Sequence, residues 1–123
     1  MLVKKFNNLT EIVAGDNCIL RESLNPNADK NIEARYSLAW AKVPVGKKTY
    51  LHALKTTEVY FIIKGTGIMY IDEEQSTVEP YDTIYIPPQA KQCIANTGSE
   101  DLEFVCIVDP AWKPEDEIIL DKK

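Results

Sequence analysis

Histidine is almost missing from this chain: His52 is the only one in 123 residues. That count excludes the iron facial triad of two histidines and a carboxylate. Cysteine is scarce as well. Cys18, Cys93 and Cys106 are far apart, odd in number and free of any CxxC pair, which excludes a disulfide scaffold and a zinc ribbon and reads as reduced, buried thiols. No apolar run is long enough to span a bilayer, and MLVKKFNNLTEIVAG lacks the apolar stretch of a signal peptide, so the expected location is cytoplasmic. Positive charge is in deficit, with 14 Lys and Arg against 19 Asp and Glu and a net charge of -5. Nonspecific nucleic-acid binding rewards the opposite balance. Lys47-Lys48 is too short to reverse it and reads as a solvated turn. Also missing are internal repeats, a DNA-binding helix pair, and any segment long enough with a 3.6-residue apolar period to supply crossover helices.

What the chain does have is strands. Short runs of β-branched and aromatic residues cover Ile32 to Val45, Thr49 to Leu54, Glu58 to Lys64, Thr66 to Ile71, Ser76 to Glu79, Asp82 to Ile86, Gln92 to Asn96 and Leu102 to Val108. Turn formers separate them, among them Gly65-Thr66-Gly67, Pro87-Pro88 and Asn96-Thr97-Gly98. Many short strands at close spacing predict an all-β sandwich or small barrel. Asn25 to Asn31 reads as a polar loop, and Thr10 to Gly15 as a helical turn or an edge strand. The acidic stretch from Asp109 to Glu117 carries two prolines and is excluded from a central strand. Its Trp112 either anchors the tail against the barrel or lines a pocket mouth. One domain of residues 1–123 is expected, with an N-terminal extension of about 1–32 and a C-terminal tail of about 109–123.

His52 stands on one predicted strand and Glu58 begins the next. By the period of two, His52 shares a face with Leu54, and Glu58 with Tyr60 and Ile62. If both faces turn inward, an imidazole and a carboxylate meet inside an apolar barrel. A charged carboxylate there must be paired, hydrogen-bonded, protonated or coordinating. Around these residues the sequence resembles the cupins. Gly46, His52, Glu58 and Gly65 match the spacing of their first motif, with Leu54 at the place of its second histidine. In YDTIYIPPQAKQCIAN, Pro87 and Asn96 match the second motif, while Tyr81 and Gln89 stand where it has glycines and Gln92 where it has a histidine. The resemblance spans roughly Tyr36 to Val108.

That resemblance implies a double-stranded β-helix (jelly-roll) barrel, commonly a homodimer, with a divalent metal (Mn, Fe, Ni or Zn) in the barrel. Carried over by position, His52, Glu58 and Gln92 are the metal-ligand candidates, while Leu54 cannot coordinate. The alternative at the same residues is a metal-free polar network or direct binding of an organic ligand. Tyr36 and Trp40, then Tyr60 and Tyr70, are candidate pocket aromatics for a small polar molecule. Arg35 or Lys42, whichever faces inward, is a candidate partner for Glu58. Three functions follow. The first is small-molecule binding, with a weak metal or none. The second is an isomerase or epimerase of a sugar derivative using His52 and Glu58 as an acid–base pair, with Lys64 and Tyr70 as candidate helpers. The third is a structural or protein-binding barrel with a vestigial pocket, in which Glu58 would face solvent or meet a basic side chain.

Overall fold

The computed structural model describes residues 1–121. In chain order its strands are β1 (Ile12–Val13), β2 (Ile19–Leu24), β3 (Ser37–Val43), β4 (His52–Leu54), β5 (Thr57–Lys64), β6 (Gly67–Ile71), β7 (Glu74–Val78), β8 (Thr83–Ile86), β9 (Gln92–Asn96), β10 (Leu102–Asp109) and β11 (Glu117–Ile119). The helical content among these residues is two single 3-10 turns, Phe6–Asn8 and Pro114–Asp116. Among the described residues no helix is long and apolar enough to cross a membrane.

Two sheets form, in the orders β1-β2-β3-β10-β5-β8 and β11-β4-β9-β6-β7, and the strand pairs are antiparallel. Their inner faces share one core, giving the jelly-roll barrel. Alternation along β10 shows why. Leu102, Phe104, Cys106 and Val108 are buried, while Glu103, Val105 and Ile107 lie on the other face. Phe104, Ile62, Ile94 and Leu102 are almost wholly inaccessible, each worth about 2 kcal/mol of burial. They fill one part of the barrel. Farther along the same strands, Tyr60 and Glu58 on β5, and Cys106 and Val108 on β10, line a cavity instead.

The four glycine places of the two motifs share one backbone property. Gly46, Gly65, Tyr81 and Gln89 all have positive φ, at 76°, 84°, 77° and 71°. Gly65 is doubly constrained, because an added Cβ would stand 2.5 Å from the carbonyl oxygen of Asp101. Tyr81 and Gln89 hold the same left-handed turns with side chains that L-residues rarely place there. Asn96 is structural in its motif. Its Nδ2 donates to the carbonyls of Val43 and Glu100, at 2.9 Å each, and its Oδ1 accepts from Gly98 N.

Two sheet members lie outside the strands read from sequence. In β2, ILRESL, polar residues with low strand preference occupy half the positions, and all six residues are only half-buried. Tertiary pairing with β3 makes it a strand. The first segment, read as an extension, therefore supplies β1 and β2 to the larger sheet. The acidic tail supplies β11, an edge strand against β4, in keeping with its exclusion from a central position.

Candidate functional site

A cavity of about 250 Å³ opens between the two sheets. Its apolar wall comes from Ile12, Val13, Leu20, Ala39, Leu54 and Val108. Its polar wall comes from Asp16, Glu22, His52, Glu58, Tyr60 and Glu117, with Ser37 and Trp112 beside them.

Cross-strand register assembles this wall. His52 on β4 pairs directly with Gln92 on β9 and with Ile119 on β11. Leu54, two residues on, faces Glu117. A carboxylate from the tail thus stands beside the hydrocarbon that replaces the second motif histidine. Glu58 pairs with Val108 on one side and Ile86 on the other.

A chain of hydrogen bonds links three of these groups. The Tyr60 hydroxyl donates to Gln92 Oε1 (3.1 Å), and Gln92 Nε2 donates to Glu58 Oε1 (2.8 Å). His52 is only 2% exposed. Its Nδ1 lies 2.8 Å from the carbonyl oxygen of Tyr50, which can only accept, so Nδ1 carries a proton. Its Nε2 lies 3.5 Å from Asp16 Oδ2. Asp16 Oδ1 in turn accepts from Cys18 N at 3.2 Å. On the tail, the Trp112 indole donates to Glu117 Oε1 (3.3 Å), and Trp112 N donates to Ser37 Oγ (2.9 Å). Trp112 both anchors the tail and lines the cavity.

Burial dominates the electrostatics. It pushes the Glu58 carboxyl up to about 8. The Gln92 hydrogen bond opposes that rise, and the negative charges of Asp16 and Glu117 add to it. Glu117 is also raised by burial, with His52 pulling the other way. Burial lifts the thiols of Cys18 and Cys106 and the Tyr60 phenol well above their usual ranges. These thiols are therefore poor nucleophiles.

Several expectations are corrected here. The first concerns the divalent Mn, Fe, Ni or Zn ion expected at His52, Glu58 and Gln92. Among the described residues no group of three or more His, Cys, Asp or Glu side chains is placed to hold a metal ion. The donor set explains this. The Gln92 carboxamide is used at both ends by Tyr60 and Glu58, Leu54 offers only hydrocarbon, and His52 Nε2 faces Asp16.

Of the four candidate pocket aromatics, only Tyr60 lines the cavity. Tyr36 is exposed. Trp40 packs edge-on against Phe6 and donates to Glu103 on the outer side of its sheet. Tyr70 alternates with the buried Met69 and so lies on the outer face of β6. Neither basic candidate reaches Glu58, since Arg35 pairs with Asp109 at 2.8 Å and Lys42 approaches Asp101 at 4.0 Å. Lys64 sits near Glu100 and Glu103, away from the cavity. Asp16 and Glu117 escaped sequence reasoning altogether. Asp16 sits in an ordinary Gly-Asp-Asn turn and Glu117 in an acidic tail, and neither pattern distinguishes a pocket residue from a solvated one.

Known proteins share the family and the fold. Residues 39–108 match the family described as the Cupin domain. An uncharacterised protein of Methanocaldococcus jannaschii is 40% identical over 118 residues, covering 95% of this chain and 93% of its own length. The oxalate-binding protein of Thermotoga maritima is 28% identical over 68 residues, 54% of this chain and 56% of that protein. In fold, the chain is similar to the polyketide cyclase RemF of Streptomyces resistomycificus, with a TM-score of 0.81 at 12% identity, covering 100% of this chain and 87% of that one.

Proposed function

This chain belongs to the Cupin domain family, and from that premise we propose that it binds a small organic molecule directly through the side chains of its barrel cavity. The observation that carries this reading is the cavity itself, an apolar enclosure into which His52, Glu58, Asp16 and Glu117 present polar groups. Its volume of about 250 Å³ suits a ligand below drug size. A vestigial pocket would be filled by aromatics, and Glu58 would be exposed or paired with a base. Here Glu58 is 7% exposed and bonded to an amide. The oxalate-binding relative overlaps only about half of this chain, so its ligand is not carried over.

The test uses the two tryptophans. Fragments screened by NMR should shift the indole resonance of Trp112, in the cavity wall, and leave that of Trp40, on the outer face, in place. A broad fragment set that leaves the Trp112 indole unmoved would sink the proposal.

A second reading, isomerase-type proton transfer, is favoured by one observation. Glu58, held protonated to about 8, shares the cavity with His52, so a carboxylic acid and an imidazole stand in one pocket. Incorporation of solvent deuterium into a ketose or nucleotide-sugar, lost in Glu58→Gln, would support it. No exchange in the parent protein across a broad panel counts against it.

Self-association is proposed on separate grounds. Across the outer face of the larger sheet, Val105 opposes Phe61 and Ile107 opposes Val59, with Tyr85 beyond Val59. Phe61, Ile107 and Tyr85 are exposed, a contiguous apolar patch of the kind that a homodimer covers.

A further inference from the structure

The cavity is unbalanced in charge. Four acidic side chains, Asp16, Glu22, Glu58 and Glu117, stand in its wall, with Glu58 keeping its proton up to about 8, and among the described residues no lysine or arginine does. The nearby cations are engaged elsewhere. Arg21 is held by Glu11 and the Phe6 carbonyl, and Arg35 by Asp109. His52 is the single group in the wall able to carry positive charge, and it already lies beside Asp16.

Hydrogen-bonding capacity is unbalanced in the same direction. Glu58 is more than nine-tenths buried, yet only its Oε1 is bonded, to Gln92. Among the described residues its Oε2 makes no hydrogen bond, and it is not a sealed, partnerless atom as Thr56 Oγ1 is. That oxygen therefore opens on the cavity. The N–H donors of Trp112 and His52 Nδ1 and the Tyr60 hydroxyl are committed, to Glu117, Tyr50 and Gln92, which leaves the Ser37 hydroxyl and the Glu58 proton as the wall's free donors. A ligand that complements this wall brings N–H donors and positive charge at one end, and an apolar body to lie against Ile12, Leu20, Ala39 and Val108.

We propose that the ligand of this cavity is a small organic ammonium or amidinium with a compact apolar body, its cationic end held among Glu58, Asp16 and Glu117. This rests on the binding reading above and specifies its ligand class. A small dicarboxylate, in contrast, would meet four acidic side chains with one imidazole to offset them.

The test compares three probes of one shape: cyclohexylammonium, cyclohexanol and cyclohexanecarboxylate, titrated into the full chain at pH 9, above the value of about 8 at which Glu58 ionises and where the ammonium is still charged, with the Trp112 indole ring resonances as readout. Cyclohexylammonium should bind at least about tenfold more tightly than the alcohol, the scale of one charge-assisted contact. The carboxylate should bind more weakly than either. Glu117→Gln and Glu58→Gln should each reduce the preference for the ammonium over the alcohol, read as the ratio of the two affinities within each variant. Glu117 is only half-buried, so its variant serves if Glu58→Gln fails to fold. Equal binding of ammonium and alcohol, or tighter binding of the carboxylate, overturns the charge inference and leaves the binding reading intact. No shift of Trp112 with any of the three overturns the ammonium proposal, and the broader fragment set then decides whether the cavity binds anything.

Discussion

Glu58 and Gln92 form a pair with a fixed direction: the amide nitrogen donates to carboxyl Oε1 at 2.8 Å, which turns Gln92 Oε1 to the Tyr60 hydroxyl. The Tyr60 hydroxyl, by donating to the amide oxygen, directs Gln92, and Gln92 holds Glu58.

Removing that director has a definite cost. Tyr60→Phe keeps the ring against Phe104, 4.4 Å between centroids, but leaves the fully buried Gln92 oxygen without a donor. Stability should fall by about 1–2 kcal/mol. Urea unfolding should show a lower midpoint with an unchanged slope, and an unchanged midpoint would mean that the hydroxyl does not hold the amide.

The Glu58 proton makes stability depend on pH. In the fold the carboxyl titrates near 8, against an ordinary value of 4.5 in the unfolded chain. Below 4.5 both states are protonated and the contribution is fully present. Between those values the folded state holds the proton that the unfolded state has released, so stability declines as pH rises, by about 1.4 kcal/mol per pH unit from this group. Glu117, also raised, acts with the same sign. Unfolding free energies at pH 5, 6 and 7 should fall less steeply in Glu58→Gln than in the parent, and parallel slopes would refute the assignment.

Gln89 occupies a left-handed position where the related motif has glycine. Its side chain is exposed, and its backbone N donates to the Leu54 carbonyl at 2.7 Å, a bond that any residue keeps. Gln89→Gly should relieve about 1–2 kcal/mol of backbone strain, partly offset by greater freedom of the unfolded chain. The expected gain is about 0.5–1 kcal/mol, seen as a rise in Tm. A lower Tm would show that Gln89 is not strained.

The outer apolar patch predicts self-association. Sedimentation velocity should show a dimer for the parent and a monomer for Phe61→Glu, which charges the middle of the patch without touching the cavity. A monomeric parent at working concentration removes the proposal.

The fold was legible because its signals are local. Alternation on β10, and turn residues such as Gly65 at 84° of φ, follow from chain geometry and need no tertiary knowledge. Gln92 to Asn96 was delimited as observed. Half of the site was legible for a different reason: His52, Glu58 and Gln92 sit at motif spacings, His52 and Gln92 directly paired in one sheet and Glu58 on the facing sheet. The rest depends on long-range register. Asp16 meets His52 across 36 positions of chain, and Glu117 reaches Leu54 through a strand pairing that no periodicity announces. The aromatics misled because alternation says which residues share a face but not which face is inward. Tyr36, Trp40 and Tyr70 share faces with residues that point outward.

The cavity wall is contributed unevenly along the chain. The stretch matching the family, residues 39–108, supplies His52, Glu58, Tyr60 and a few apolar neighbours, whereas most of the wall, including Asp16, Glu22, Trp112 and Glu117, comes from before or after it. Most of the wall, though not His52, Glu58 and Tyr60, is thus encoded outside the stretch that frames the barrel. Two proteins can agree closely over the barrel and still accept unlike molecules, because the flanks that touch the guest are free to diverge. Ligand identity should travel between relatives only when those flanks align. A swap of residues 12–22 and 112–119 between two such proteins is the graft that would carry preference from one to the other.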